Sequence, residues 1–408
     1  MPIHAAMSSR FRLLESVPSM QALMEDPAYA QVRAQFESHP GYQVPAVSVR
    51  SAEVPGPHGP VPVRIYGEST GDTGGGARPC LVWMHGGAFI GGNLDMPEAD
   101  WTARELALRA GAIVVSVDYR LCNDGVHFPV PHDDVVAVVR WVRDSPADLG
   151  IDADRISVGG ASAGANLAAG AALKLRDADG LPPAHLIFAY GVAHAVIPPM
   201  SAEHAALMRE VPALLQFPPE ATSFFNVNYL GGPVSTATGY AFPALADLRG
   251  MCPTLVLNAE YDDLRASGQA FAAALAAAGA DVRQVMVASM LHGFLNLPAS
   301  IGPVAGALDL IAGILRTPAA IGALRPGVPG LVDRQLRAVG QPDRREQSPA
   351  LIGDLPRHLD ALAPQVGEGR LDVVAHEVKL VVPSTVSRVH REFGRRHGED
   401  GPAAPRVH

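Results

Sequence analysis

From residue 80 onward the chain alternates short apolar runs with longer stretches of helical period. CLVWMHGG (80–87) reads as a strand and PEADWTARELALRAG (97–111) as a helix. AIVVSVDYR is followed by HDDVVAVVRWVRDS, and RISVGG by AGANLAAGAALKLRDA, each a strand and then a helix. HLIFAYGVA is a further strand. PTLVLNAEYDD and DVRQVMVAS are strands that lead into the helices RASGQAFAAALAAAGA and GPVAGALDLIAGILR. Alternation of this kind predicts an α/β fold with a mostly parallel central sheet and helices on both faces. CLVWM and IVVSV are apolar at successive positions, as expected of strands covered on both sides.

Three regions depart from the alternation. Residues 1–40 carry short helical patterns interrupted by Pro18 and Pro27, which predicts short helices. VPAVSVRSAEVPGPHGPVPVRIYG follows, two β-branched runs around a Pro/Gly turn, and predicts a hairpin. Residues 195–240 break the repeat with a segment rich in Phe, Met, Leu and Pro. This insertion is expected to be helical, either a further packing layer or a lid, since insertions in such sheets gather at the ligand end. The organisation expected is therefore N-terminal cap helices over 1–40, a catalytic domain over 41–317 with a cap insertion at about 195–240, and a C-terminal extension over 318–408. The extension has no clear period and reads as a disordered tail, a small module or translated sequence from a shifted frame.

Composition narrows the function. The 408 residues are 48% hydrophobic and 18% charged, enough apolar material for a large core. A net charge of −9 argues against a nucleic-acid partner. Cys80, Cys122 and Cys252 are scattered and odd in number, which argues against a disulfide framework or a zinc site. The N-terminus has no signal-peptide pattern, and no run approaches a membrane span. A cytoplasmic protein without membrane insertion is the expectation.

The chemistry gathers at expected strand ends. Gly160-Ala161-Ser162-Ala163-Gly164 lies between a buried strand and an alanine-rich helix, where small residues let the two approach and the hydroxyl project as a nucleophile. The alternative is a serine that merely caps the helix. A nucleophilic serine needs a base, and His292 follows the last strand in LHGF. The histidine needs a carboxylate, for which Glu260, Asp262 and Asp263 are candidates. Gly86 and Gly87 in MHGGAF can present backbone N–H groups to a developing oxyanion, as can Ala163. His85 is expected to hold that loop without acting in catalysis. The order serine, acid, histidine is that of an α/β-hydrolase.

HGGAF, VDYRL (117–121), GASAG, EYDDLR and LHGF occur together in that order, and over about residues 40–316 the chain resembles the bacterial hormone-sensitive-lipase family of α/β-hydrolase esterases. The family's D-x-L falls on Asp262-Asp263-Leu264, so the resemblance assigns a triad of Ser162, Asp262 and His292. Its HGGG falls on residues 85–88, so Ala88 joins Gly86, Gly87 and Ala163 as candidates for the oxyanion hole. Two positions depart from the family pattern, Ala88 in place of the third glycine and Ala161 in place of an acidic residue before the nucleophile. The resemblance implies a serine carboxylesterase acting on short to medium acyl esters through an acyl-enzyme, with a small-molecule ester as partner. It also implies a helical cap, no metal or organic cofactor, and pairing as a homodimer. Apolar residues of the cap, including Phe217, Phe224 and Phe225, are expected either at the acyl pocket or in the ordinary core. Other readings are a lipase, an amide hydrolase, or a receptor-like protein without catalysis, which would show a damaged triad.

Overall fold

A computed structural model describes residues 2–19, 22–23, 26–67 and 77–317, all within one compact unit, Met1–Gly327. The expected C-terminal extension lies outside the described residues. Eight strands form one sheet in the order β1-β2-β4-β3-β5-β6-β7-β8. The hairpin expected from the Pro/Gly turn is β1 (Val49–Val54) and β2 (Val61–Tyr66), and both of its pairings, β1 with β2 and β2 with β4, are antiparallel. The remaining strands, β3 (Arg78–Met84), β4 (Ile113–Val117), β5 (Ile151–Ala161), β6 (Leu186–Ala189), β7 (Thr254–Tyr261) and β8 (Val282–Leu291), pair in parallel.

The continuous apolar strands divide their side chains between two cores. On β3, Cys80, Val82 and Met84 enter one core, and Leu81 and Trp83 the other. On β4, Ile113, Val115 and Val117 oppose Val114 in the same manner. This is the two-residue period of a strand buried on both faces. Helices α1 (Ala5–Ser8), α2 (Phe11–Leu14) and α3 (Ala30–Glu37) come before the sheet. The core of Leu81 and Trp83 is closed by α4 (Pro97–Ala110) through Ala103 and Leu106. The opposite core is closed by α5 (Val130–Asp144), with the short α6 (Pro146–Leu149) after it, and by α7 (Ala163–Asp179).

The insertion between β6 and β7 is helical, with α8 (Ala202–Met208) and α9 (Pro219–Leu230). The N-terminal segment packs on it: Ile3 shares a core with Met208 and Val211, and Leu14 and Val17 share another with Leu214 and Leu215. After the insertion, α10 (Arg265–Ala277) joins the α5/α7 face through Phe271, and α11 (Gly302–Arg316) joins α4 through Leu308 and Ile311. The three cysteines are free and buried, and burial pushes each thiol up to about 12. Among the described residues, no helix is long and apolar enough to cross a membrane.

Helix α7 grips both ends of the insertion. The amide of Asn166, fully buried, donates to Val192 O and Ala241 O, each at 2.9 Å. A Cβ at Gly170 would stand 2.3 Å from Tyr240 O, so only glycine admits that backbone. Asn166→Ala leaves two carbonyls without their donor. It is expected to lower stability by about 1–3 kcal/mol, seen as a lower thermal midpoint by circular dichroism.

Candidate active site

β5 ends in Ala161 and α7 begins at Ala163, so Ser162 occupies the turn between them. Its backbone, at φ 55° and ψ −119°, lies in a region that side chains rarely adopt. The two flanking glycines make the turn feasible. A Cβ at Gly160 would meet the Gly164 backbone at 2.4 Å, and one at Gly164 would meet Met84 O at 2.3 Å and His85 O at 2.4 Å. The G-x-S-x-G spacing is thus the close approach of strand β5, helix α7 and the end of β3. The Ser162 hydroxyl makes no capping bond to α7, which rules out the simple cap.

Ser162 Oγ lies 3.0 Å from His292 Nε2, and His292 Nδ1 lies 3.0 Å from Asp262 Oδ2. His292 follows the end of β8, while Asp262 follows the end of β7. Asp262 is fully buried, and its second oxygen accepts the Leu264 N–H at 2.9 Å. The other two acids make no hydrogen bond to the ring. Glu260 accepts the Ser289 N–H at 2.6 Å, and Asp263 accepts the Phe217 N–H at 2.7 Å. Burial pulls the His292 imidazole down, but the facing carboxylates, Asp262 first and then Glu98 and Asp263, hold it above its ordinary 6.5.

The HGG turn stands beside this trio. Burial pushes His85 down to about 4, so the ring is neutral and its Nδ1 donates to Gly86 O at 2.7 Å. It stacks on Tyr119, whose hydroxyl donates to His85 O at 2.9 Å. His85 therefore holds the loop, as expected. Gly86 requires a correction as an oxyanion donor: its N–H is donated to Glu98 Oε2 at 2.5 Å and is occupied. The N–H groups of Gly87, Ala88 and Ala163 have no backbone acceptor among the described residues. Ala88 sits at φ 53°, the left-handed conformation a third glycine would take freely, so the loop keeps its shape at a cost of about 1 kcal/mol.

A cavity of about 180 Å³ opens over Ser162, Ala163 and His292 and is lined by Gly87, Ala88, Phe217, Phe225 and Leu264 among others. Phe217 meets the His292 ring edge-on with centroids 4.9 Å apart. Phe224 does not line the cavity. It is 47% exposed, on the outward side of α9. Sequence reasoning also missed Glu98, buried at 2% exposure. An acidic residue in the first turn of α4 reads as an ordinary complement to the helix dipole, and nothing in its spacing signals burial.

The chain is similar to known esterases over most of its described length. A family model for the α/β-hydrolase fold matches residues 81–296. The esterase LipI of Mycobacterium tuberculosis is 32% identical over 288 residues, 70% of this chain and 86% of its own length. The carboxylesterase NlhH of the same species is 35% identical over 246 residues, 58% of this chain and 72% of its own. A hyperthermophilic esterase from Pyrobaculum calidifontis superposes with a TM-score of 0.64 at 28% identity, covering 78% of this chain and 98% of that one.

The charge balance at His292 has a direct readout. Its imidazole is expected to titrate above 6.5 by NMR. In Asp262→Asn the midpoint should fall, because burial is then opposed by Glu98 and Asp263 alone.

Proposed function

Because the chain belongs to the hormone-sensitive-lipase-like family of α/β-hydrolases and is a carboxylic ester hydrolase, we propose that Ser162, His292 and Asp262 carry its reaction. The observation behind this reading is the unbroken line of contacts from Ser162 Oγ through the imidazole to Asp262, at 3.0 Å and 3.0 Å.

His292 Nε2 takes the Ser162 proton as Oγ attacks the ester carbonyl. The carbonyl oxygen becomes an anion and is received by the N–H groups of Gly87, Ala88 and Ala163. Asp262 keeps the proton on Nδ1 and stabilises the imidazolium. His292 then protonates the departing alcohol, and the acyl group remains on Ser162. Water enters and gives its proton to the same nitrogen as its oxygen attacks the acyl carbon, and the imidazolium then returns that proton to Ser162 Oγ as the acid leaves. Because the imidazole must be neutral to start, a raised His292 predicts an acid limb of kcat/KM above 6.5.

The cavity supports a short to medium acyl chain, with Phe217 and Phe225 as its walls. A small-molecule ester is the proposed substrate, and a homodimer and a cytoplasmic location the proposed setting.

Ser162→Ala is expected to lower ester hydrolysis by roughly 10⁴-fold or more while circular dichroism and the thermal midpoint stay unchanged. Near-wild-type turnover would reject the assignment. A series of aryl esters of increasing acyl length gives a second check. Phe217→Ala and Phe225→Ala should move the preferred length upward, and Phe224→Ala should leave it where it is. An unchanged profile in all three removes the acyl-pocket reading.

A further inference from the structure

We infer that Glu98 is a positioning residue of this hydrolysis: its buried carboxylate fixes the oxyanion turn and faces His292 from α4, apart from the acids of the β7–α10 connection. The inference rests on the triad proposed above. Three donors converge on the carboxylate. Gly86 N–H reaches Oε2 at 2.5 Å, while the Tyr190 hydroxyl and the Asn296 amide reach Oε1 at 2.7 Å and 3.3 Å. Burial raises the Glu98 carboxyl above its ordinary range, and these three donors, with His292 nearby, draw it back towards the charged form.

These contacts join the two working loops. Gly86 is fixed on both sides, its N–H by Glu98 and its C=O by His85 Nδ1. The orientation of the next two amides, Gly87 and Ala88, follows from that peptide. On the other side, the Tyr190 ring packs edge-on against His292 at 5.1 Å. Asn296 accepts the Glu98 N–H at 3.1 Å and donates to Gly293 O at 3.2 Å, in the turn after the histidine. Trp83 Nε1 anchors the Glu98 carbonyl at 2.9 Å.

The negative groups facing His292 are Asp262 and Asp263 from the β7–α10 connection and Glu98 from α4. The other titratable groups around Glu98 are neutral. Tyr190 and Tyr119 are raised well above their ordinary range, chiefly by burial, and His85 is lowered to about 4. Removing the Glu98 charge therefore lowers the affinity of His292 for its proton.

The test compares Glu98→Gln, Glu98→Ala and Ser162→Ala in the full chain, with pH profiles of kcat and KM on a soluble aryl acetate. In Glu98→Gln the carboxamide oxygen can keep the Gly86 bond while the charge is lost. We expect kcat to fall roughly tenfold with KM within about twofold, and the acid limb to move to lower pH by about half a unit. Glu98→Ala releases the turn as well, and kcat should fall roughly 100-fold. Should that variant not fold, Glu98→Gln decides alone. Wild-type kcat with an unmoved limb in Glu98→Gln overturns the inference. So does a lower kcat with an unmoved limb, which reduces Glu98 to packing. Activity surviving in Ser162→Ala would instead sink the triad itself.

Discussion

The site depends on how closely three pieces of backbone approach around one serine. Ser162 is held at φ 55° because β5, α7 and the end of β3 meet where Gly160 and Gly164 have no Cβ. Distances of 2.3 and 2.4 Å from a hypothetical Cβ at Gly164 to Met84 O and His85 O leave no room for adjustment. The same contact sets the HGG turn beside the nucleophile. The HGG amides and the Ser162 hydroxyl are therefore placed by one packing event, the kind of preorganisation the proposed reaction would draw on.

Electrostatics then set the balance at the histidine. A largely buried imidazole would ordinarily lose its proton affinity. Here, carboxylates from two separate parts of the chain, Asp262 and Asp263 after β7 and Glu98 at the start of α4, reverse that tendency. Only Asp262 touches the ring. Glu260, one of the acids offered by the same strand end, is turned to the Ser289 amide instead. Contact, more than proximity in sequence, separates the three acids of EYDD.

Much of this was legible in the sequence because its signals are local or periodic. The alternation of CLVWM, IVVSV and RISVGG with amphipathic stretches yields a parallel sheet, and a glycine pair around a serine yields a sharp turn. The acid could be narrowed to Asp262 only through the family resemblance, since spacing cannot tell which of three neighbouring carboxylates will point inward. Gly86 looks like a free donor in the sequence for want of a tertiary signal: its amide partner, Glu98, is 12 residues away on a helix whose pattern looks solvent-facing at that position. Phe224 and Phe225 are adjacent and chemically identical, and only the angle of α9 on the body decides that one lines the cavity while the other meets solvent.

The Asp263 carboxylate accepts the backbone N–H of Phe217, an insertion residue whose ring covers His292. A guest bulky enough to displace the backbone at Phe217 must break that bond, one residue from Asp262. The ring above His292 and the Asp262–Asp263 turn beneath it are thus tied by a single hydrogen bond, so that the width of the cavity and the setting of that turn share one fastening.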